Sequence, residues 1–301
     1  MDGGTDLLMN PSQHRHSRRR PHRLLRLLFL AALLLALVWW GNNSIQTTTW
    51  DLRFSDLPEG FDGCRVLVLG DTHGKWFGEG NQTLFQTASD ADPDYIFFVG
   101  DLEDDDRGPV PEYPETLAEG LSAIAPTYYV TGNHEWAIGD VPELKNRLET
   151  HGITVLSNET VLLERNGDTI PLAGIDDPNG RADQKTPEEV AADLHEEYGP
   201  DPFWILLAHR NNRFATEYRQ LGADLVVSGH GHGGVIRLPF RKEGFLTHSL
   251  NRDALHPRYT AGVYEEEGST LFVTRGLGNS GISFRIFNRP EAAVLTLHRD
   301  S

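Results

Sequence analysis

Residues 65–73 read Arg-Val-Leu-Val-Leu-Gly-Asp-Thr-His, a short apolar run that ends at a glycine and is followed by polar side chains. Such a run is typical of a buried β-strand that ends in a tight turn. The same pattern recurs in residues 95–99, 127–130, 203–208 and 225–227. Helical patterns lie between these runs, in residues 82–89, 115–125, 142–150 and 187–198. Alternation of strand and helix predicts an α/β fold.

Four further runs have the character of strands. They are residues 161–164, 169–173, 271–274 and 292–297. The total exceeds what a single doubly wound sheet needs. We therefore expect two mixed β-sheets packed against each other, with helices on the outside.

Each of the five core strands is followed at once by polar residues. These are Asp71 and His73, then Asp101, then Asn133, His134 and Glu135, then His209, and finally His230 and His232. Ligand sites in α/β sheets gather outside the carboxyl ends of the strands. Each motif alone occurs by chance in many proteins, but five at one sheet edge indicate a site. Carboxylate, imidazole and amide donors together suit a pair of metal ions such as Mn²⁺, Fe, Zn²⁺ or Mg²⁺.

Composition excludes several other classes of protein. The chain has 301 residues, 27 Lys and Arg against 44 Asp and Glu, and a formal net charge of −17. With 39% apolar residues, it is neither a disordered polyampholyte nor a multi-span membrane protein. Its acidity argues against binding to nucleic acid backbones. A single cysteine, Cys64, excludes an intramolecular disulfide framework.

The first 26 residues carry six arginines against two aspartates, and an uninterrupted apolar run follows in residues 27–40. The run extends back to Leu24 if Arg26 reaches toward the lipid headgroups. It is short for a spanning helix and long for a signal-peptide core. No small-residue cleavage site follows it, and the paired Trp39 and Trp40 suit a membrane interface. A membrane anchor is therefore favoured over a cleaved signal peptide or a buried helix of a soluble protein.

The basic flank also predicts the orientation of the chain, because Lys and Arg stay on the cytoplasmic side. We expect residues 1–23 to be a cytoplasmic tail and residues 24–40 a transmembrane signal anchor. Residues 41–60 are expected to be a linker with room for one strand, and residues 61–301 the folded domain. The protein would then be a single-pass protein of the cell membrane whose catalytic domain is extracytoplasmic.

In order and content, the motifs resemble those of the calcineurin-like metallophosphoesterases. The matching residues are Asp71-x-His73, Gly100-Asp101, Gly132-Asn133-His134-Glu135, His209 and Gly229-His230-x-His232. The resemblance covers residues 61–297. Residues 57–63, 233–240, 276–280 and 287–291 resemble the membrane-anchored bacterial YkuE-like branch in particular. The resemblance implies a four-layer α/β/β/α sandwich.

The resemblance also implies a role for each motif residue. Asp71, His73 and His232 would hold one divalent ion, Asn133, His209 and His230 would hold the other, and Asp101 would bridge them. His134 would face the substrate and protonate or stabilise the leaving oxygen. The two ions, whether Mn, Fe or Zn, would activate the water that hydrolyses a phosphomonoester or phosphodiester. A pyrophosphatase acting on nucleotide-linked sugars or lipids is the alternative reaction.

A catalytically silent binding protein of the same fold is a third possibility, but the intact ligand set argues against it. For Arg210, contact with a phosphoryl oxygen and a solvated surface position remain equal alternatives. Asp104 and Asp176 are candidates to support the ligands from behind. The acidic run of residues 103–106 is expected to be solvated rather than a third metal site. Ordinary surface or packing roles are expected for His151, His195, His248, His256 and His298, and an inert one for Cys64.

Overall fold

The computed structural model describes residues 20–180, 184–234, 236–238, 241, 243–245, 258–281 and 284–300, with side chains from residue 23 onward. The chain divides into two compact units, Met1–Trp39 and Trp40–Ser301. Most of the expected cytoplasmic tail lies outside the described residues, and so do His248 and His256.

One apolar helix, α1, spans Arg20–Asn43. Its segment Arg23–Asn43 is long and apolar enough to cross a membrane, with a mean hydropathy of 2.2. The large apolar side chains of α1 are exposed, Leu35 to 70% and Trp39 to 69%. A helix that exposes leucine on every side is suited to a bilayer, where lipid covers it.

The other elements belong to the second unit. The described strands are β1 Gln46–Phe54, β2 Cys64–Leu69, β3 Tyr95–Phe98, β4 Thr127–Tyr129, β5 Thr154–Val155, β6 Glu159–Arg165, β7 Asp168–Ile175, β8 Ile205–Arg210, β9 Leu225–Gly229, β10 Gly262–Glu266, β11 Ser269–Val273 and β12 Glu291–Arg299. The described helices are α2 Gln82–Asp90, α3 Tyr113–Ser122, α4 Asn133–Ile138, α5 Val141–Thr150 and α6 Pro187–Tyr198. Strand β1 lies within the segment expected to be a linker.

These strands form two six-stranded sheets. The first has the order β1-β12-β2-β3-β4-β5 and the second the order β10-β11-β9-β8-β7-β6. Strand β12 runs antiparallel to β2 but parallel to β1. In the second sheet β7 pairs parallel with β8 and antiparallel with β6. Both sheets are therefore mixed, which confirms the predicted fold class.

Apolar side chains fill three layers between these elements. One cluster lies between the two sheets, a second joins the first sheet to α2, α3 and α5, and a third joins the second sheet to α6. Strand β2 shows why a central strand contributes to two of these clusters. Val66 and Val68 face the inter-sheet cluster, and Leu67 and Leu69 face the helices. Side chains alternate across a strand, so a strand buried on both faces must be apolar throughout.

Local signals explain why helix α6 begins where it does. Helix α6 begins after Thr186, whose hydroxyl accepts a 3.2 Å hydrogen bond from the backbone N–H of Glu189. The Glu189 carboxylate accepts one of 2.8 Å from the backbone N–H of Thr186. This reciprocal cap satisfies two donors that a helix end leaves unpaired, and Pro187 needs no such partner. Helix α4 and strands β5 and β10 were not predicted, because each is short and has no apolar period of its own.

Candidate metal centre

The seven polar residues expected to bind metal come from both sheets and meet at one edge of the sandwich. The first sheet supplies Asp71 and His73 after β2, Asp101 after β3 and Asn133 at the start of α4, and the second sheet supplies His209 in β8 and His230 and His232 after β9. The site is thus formed only when the two sheets pack together.

One group of donors contains Asp71, His73, Asp101 and His232, all buried, with one ligand atom of each within 4.8 Å of the others. Nε2 of His73 lies 3.1 Å from Nε2 of His232 and 3.8 Å from Oδ2 of Asp101. Nε2 of His232 lies 3.7 Å from Oδ1 of Asp71. Two carboxylates and two imidazoles that converge in this way suit a divalent first-row metal.

A second group contains Asp101, His209 and His230. Oδ2 of Asp101 lies 3.1 Å from Nε2 of His209, which in turn lies 3.2 Å from Nδ1 of His230. Nδ1 of His209 donates a 2.7 Å hydrogen bond to the carbonyl of Val99, so that Nε2 is the atom directed at Asp101. Asp101 is therefore a member of both groups.

Two buried oxygens at this edge show that the donor set fits metal ions. Among the described residues, Oδ2 of Asp71 and Oδ1 of Asn133 are buried and lack a hydrogen-bond partner. Buried polar atoms are nearly always paired, so these oxygens call for a partner that the described protein atoms do not supply. A divalent cation is such a partner for a carboxylate and an amide oxygen.

The backbone around the site is held in unfavourable conformations. Five of the seven residues have φ in the left-handed region: Asp71 (49°), His73 (49°), Asp101 (51°), His230 (64°) and His232 (48°). Non-glycine residues adopt this region uncommonly, and such strain gathers at functional sites. At Gly132 a Cβ atom would lie 2.1 Å from Oδ1 of Asp101, so a glycine is required there.

The surroundings shift the pKa values of the carboxyl groups of Asp71 and Asp101 in opposite directions. Burial raises the pKa of Asp71 to about 7, against the opposing effect of His209. Burial acts on Asp101 in the same sense, but the imidazoles of His209, His73 and His134 outweigh it and hold the pKa of Asp101 well below its usual value. Asp101 therefore carries the more persistent negative charge of the pair.

The histidines divide in a similar way. Burial lowers the pKa of both His73 and His230 to about 3, which leaves their ring nitrogens neutral and able to bind a cation. For His209, burial is outweighed by the Asp101 carboxylate, which raises the pKa of His209 to about 10. A cation bound at Asp101 competes with that proton, because both are attracted by the same carboxylate.

Comparison with known proteins agrees with this geometry. The family model described as calcineurin-like phosphoesterase matches residues 64–234. That range contains all seven of these donors. The chain belongs to the calcineurin-like phosphoesterase family. It is accordingly a metal-dependent phosphoesterase.

Its relatives include bacterial and vertebrate proteins. The chain is 30% identical over 261 residues to the metallophosphoesterase YkuE of Bacillus subtilis, covering 85% of this chain and 86% of that one. It is 30% identical over 282 residues to the metallophosphoesterase Cj0846 of Campylobacter jejuni, covering 91% and 71%. It is 31% identical over 258 residues to the transmembrane protein with metallophosphoesterase domain of Danio rerio, covering 82% and 56%. The chain thus spans little more than half of the vertebrate protein.

Glu135 is an organising residue of this phosphoesterase to which the sequence analysis gave no role. Its buried carboxylate accepts hydrogen bonds from the backbone N–H groups of Asp101 (3.1 Å), Leu102 (2.6 Å), Glu103 (3.2 Å) and Gly132 (2.7 Å). Burial, reinforced by the Asp101 charge, raises the pKa of Glu135 to about 7. A glutamate three residues after a helix cap was the signal that could have identified it.

Arg285 was also missed, and it is fully buried against the metal site. Its Nη2 atom lies 3.2 Å from Nδ1 of His232, and its Nε donates a 2.6 Å hydrogen bond to Oδ1 of Asn279. Its Nη1 donates to the carbonyl of Arg275 at 2.7 Å. Burial lowers the pKa of Arg285 to about 10. No local sequence pattern distinguishes this arginine from a surface one.

The expectation that the acidic run is solvated was wrong for half of it. Glu103 and Asp104 are buried, whereas Asp105 and Asp106 are exposed. Oδ2 of Asp104 lies 4.0 Å from Nδ1 of His73, and among the described residues neither atom has a hydrogen-bond partner. The backbone N–H of Glu103 donates a 3.2 Å hydrogen bond to the Glu135 carboxylate.

His134 is half-buried and forms, with His73 and Asp104, a third group whose ligand atoms lie within 4.8 Å of one another. Its Nε2 lies 3.9 Å from Oδ2 of Asp101 and 3.2 Å from Oγ of Ser280, and its Nδ1 contacts the carboxylate of Asp105. Burial opposes a charge on His134, but the carboxylates of Asp101, Asp105 and Asp104 outweigh it and raise its pKa. At any given pH, His134 is therefore protonated to a greater extent than an ordinary histidine.

Arg210 and Asp176 have partners of their own. Arg210 forms a bidentate ion pair with buried Asp177, at 2.6 Å from Nε and 3.0 Å from Nη2, so it is not a freely solvated residue. Asp176 accepts hydrogen bonds from Oγ1 of Thr131 (2.7 Å) and Nζ of Lys145 (2.7 Å). Among the described residues Asp176 thus contacts the loop that precedes Asn133, and not a donor side chain.

The remaining side chains have ordinary surroundings. His151 lies 3.6 Å from Glu119, His298 lies 3.2 Å from Asp51, and the ring of His195 packs edge-on to Trp204. Cys64 is buried, and burial raises the pKa of its thiol to about 12. A thiol with so little thiolate is unreactive.

Proposed function

We propose that the chain is a dinuclear phosphoesterase of the membrane surface that hydrolyses a phosphomonoester or phosphodiester with water. Asp71, His73 and His232 would hold one ion, Asn133, His209 and His230 the other, and Asp101 both. The observation that carries this assignment is the membership of Asp101 in both donor groups. A carboxylate has two oxygens and can bridge two cations, which a neutral imidazole cannot.

Two divalent ions bound here would supply Lewis acidity for water and for the phosphoryl group. The protein would hold them through neutral His73 and His230 and through ionised Asp101. Glu135 would maintain the loop that presents Asp101, through the four backbone N–H groups that it accepts. Asp104 would orient the ring of His73 from behind.

His134 would act as the general acid that protonates the leaving oxygen. Its raised pKa supports this role, because a donor must hold its proton near neutral pH. The Asp105 carboxylate at Nδ1 would stabilise the protonated ring and keep Nε2 directed at the substrate. Nε2 is the ring atom nearer to Asp101.

Arg210 would contact a phosphoryl oxygen of the substrate. Its ion pair with Asp177 supports this, since Nε and Nη2 are held and Nη1 is left to donate in a fixed direction. A planar guanidinium anchored along one edge suits a phosphoryl oxygen. Asp176 would hold the adjoining loop through Thr131.

Residues 24–40 would anchor the protein in the cell membrane, with residues 1–23 in the cytoplasm and the domain of residues 61–301 outside, joined by residues 41–60. The apolar helix supports the anchor, as does the transmembrane character named for the Danio rerio relative. The six arginines before the apolar run support the orientation.

The experiment that tests this function is a metal-by-metal assay of the full chain in detergent. The protein is stripped with a chelator, reloaded with Mn²⁺, Fe²⁺, Zn²⁺ or Mg²⁺, and assayed with p-nitrophenyl phosphate and bis(p-nitrophenyl) phosphate. We expect turnover to vanish with the chelator and to return as two ions per chain are bound. Full activity with one ion per chain would contradict the dinuclear site, and turnover that persists without metal would contradict the mechanism.

A further inference from the structure

The segment that directly follows the apolar run is bonded to a neighbour of the metal site. Asn42 is buried, and its Oδ1 accepts a 2.8 Å hydrogen bond from the backbone N–H of Arg285. The Nδ2 of Asn42 donates to the carbonyl of Arg285 at 3.2 Å. Arg285 in turn reaches Nδ1 of His232. Two successive contacts therefore connect the donor His232 to a residue two positions beyond Trp40.

A second set of contacts holds the same segment. Arg289 donates hydrogen bonds to the carbonyls of Ser44 (3.1 Å) and Ile45 (2.8 Å), and its guanidinium stacks 4.5 Å from the centre of the Trp40 ring. Lys75, two residues after the donor His73, contacts the carbonyl of Asn42. Trp40, Asn42, Ser44 and Ile45 are therefore held by residues that lie near the metal site in the same unit.

The loops that make these contacts form a patch of distinctive composition, here called the rim patch: described residues 236–238 and 284–289. Its two parts pair through Ile236 and Ile286, and the backbone N–H of Arg237 donates to the carbonyl of Ile286 at 3.0 Å. The side chain of Asn288 donates a 2.7 Å hydrogen bond to the carbonyl of His232. The rim patch is thus bonded directly to the metal site.

The rim patch exposes large apolar side chains beside partly exposed arginines. Leu238 is 44% exposed, Phe284 46% and Phe287 74%. Of the three arginines in the rim patch, Arg237 and Arg289 are partly exposed and Arg285 is buried. The rim patch itself contains no acidic residue, in a chain of net charge −17. Aromatic side chains beside arginines are typical of surfaces that enter the headgroup region of a membrane, where anionic lipids attract the cations.

We propose that the rim patch rests on the bilayer that holds the anchor, and that the substrate is a phosphate ester carried by a membrane lipid. This inference rests on the proposed function. The apolar run ends at the bilayer surface, and Asn42, Arg285 and His232 then bring the donors close to that surface. A lipid headgroup can reach the donors while its acyl chains stay in the bilayer and Phe284 and Phe287 contact them.

The chemistry is hydrolysis of a P–O ester bond. Water adds to phosphorus, the bond to the lipid oxygen breaks, and a proton is delivered to that oxygen. A phosphomonoester lipid gives the lipid alcohol and inorganic phosphate. No oxidant or further reactant is needed.

The first test compares substrates with the same headgroup on the full metal-loaded chain in phosphatidylcholine vesicles. The nitrophenyl esters first show whether the enzyme prefers monoesters or diesters. A monoesterase is then given dioleoyl phosphatidic acid or glycerol 3-phosphate, and a diesterase dioleoyl phosphatidylglycerol or glycerophosphoglycerol. We expect kcat/KM to favour the lipid by roughly 10²-fold or more, because enzyme and substrate share one surface.

If the lipid and the soluble substrate are turned over equally, or the soluble one is preferred, the proposal of a lipid substrate is wrong. Activity on the nitrophenyl esters would still support the phosphoesterase function in that case. Absence of turnover on every probe with every metal overturns the function itself.

The second test measures membrane contact without any turnover. Cys64 is buried with a raised thiol pKa, so a cysteine placed by Phe287→Cys is selectively labelled with an environment-sensitive dye. Leu162→Cys is the matched control, because Leu162 is 39% exposed on β6, the edge strand of the second sheet. In vesicles containing headgroup-proximal quencher lipids, we expect at least about twofold stronger quenching at 287 than at 162, as for a side chain about 5–10 Å deep. Equal quenching at the two positions overturns the membrane contact.

Discussion

Oδ2 of Asp101, which follows strand β3 in the first sheet, lies 3.1 Å from Nε2 of His209 in strand β8 of the second sheet. The same carboxylate lies 3.8 Å from Nε2 of His73. Asp101 is therefore the point at which the two donor groups, and the two sheets, meet. A change at this residue reaches both groups, whereas a change at His134 is expected to reach neither.

Asp101→Ala should abolish activity together with the binding of both metals, because it removes the carboxylate common to the two groups. Elemental analysis after purification with Mn²⁺ measures the metal content, and release of nitrophenolate measures the activity. Retention of one ion per chain would show that Asp101 belongs to a single site.

His134→Ala should keep both metals and lose turnover of an alkyl phosphate by roughly 10²–10⁴-fold, the usual contribution of a general acid. The loss should be smaller for a nitrophenyl ester, whose leaving group departs without a proton. Metal content is the control. If the ions are lost, His134 is a ligand or a structural support, and if alkyl phosphate turnover is unchanged, it is not the acid.

Asp105→Asn should shift the alkaline limb of the pH profile to lower pH. A histidine with a raised pKa is protonated at pH values below that pKa, and its action as an acid is lost as the pH rises through it. The Asp105 carboxylate is one cause of the rise in the pKa of His134, so its removal should move the alkaline limb to lower pH. Asp106→Asn, an exposed neighbour, is the matched control. If the alkaline limb of Asp105→Asn, measured with the alkyl phosphate, stays at the pH of the unsubstituted protein, Asp105 does not raise the pKa of His134.

Glu135→Gln should destabilise the protein by about 2–4 kcal/mol, since it leaves a buried set of backbone donors without their charged acceptor. Metal affinity should fall as well, because the loop of Asp101 loses its support. Thermal unfolding of the full chain in detergent, with and without Mn²⁺, measures both effects. Glu196→Gln, on the exposed face of α6, should leave both values unchanged. If Glu135→Gln changes the stability and the metal affinity as little as Glu196→Gln does, the proposed role of Glu135 is wrong.

Protease added to intact cells should digest the domain and spare residues 1–23, because the six arginines before the apolar run hold that end in the cytoplasm. Tags at the two ends of the chain, followed by immunoblotting, distinguish the fragments. Digestion of the N-terminal tag with protection of the domain would reverse the orientation.

Much of the fold was predictable because its signals are local. The apolar runs that end at Gly70 and Gly100 have the length and composition of buried strands, and the predicted helix at residues 187–198 has the bounds of α6. Strand β1 was harder to place. Only five of its nine residues are even partly buried and it lies at a sheet edge, so its pairing with β12 is set by a partner far along the chain.

The candidate site also has a part that local sequence signals predict and a part that they do not. The order of residues was enough to predict which side chains form the site, because the carboxyl ends of parallel strands share one edge and polar donors there have no packing purpose. The burial of Glu103 and Asp104, the support from Glu135, and the link from Asn42 through Arg285 to His232 were decided only by the tertiary structure. These contacts join distant segments, and their hydrogen bonds and desolvation depend on what each side chain meets after the sheets have packed.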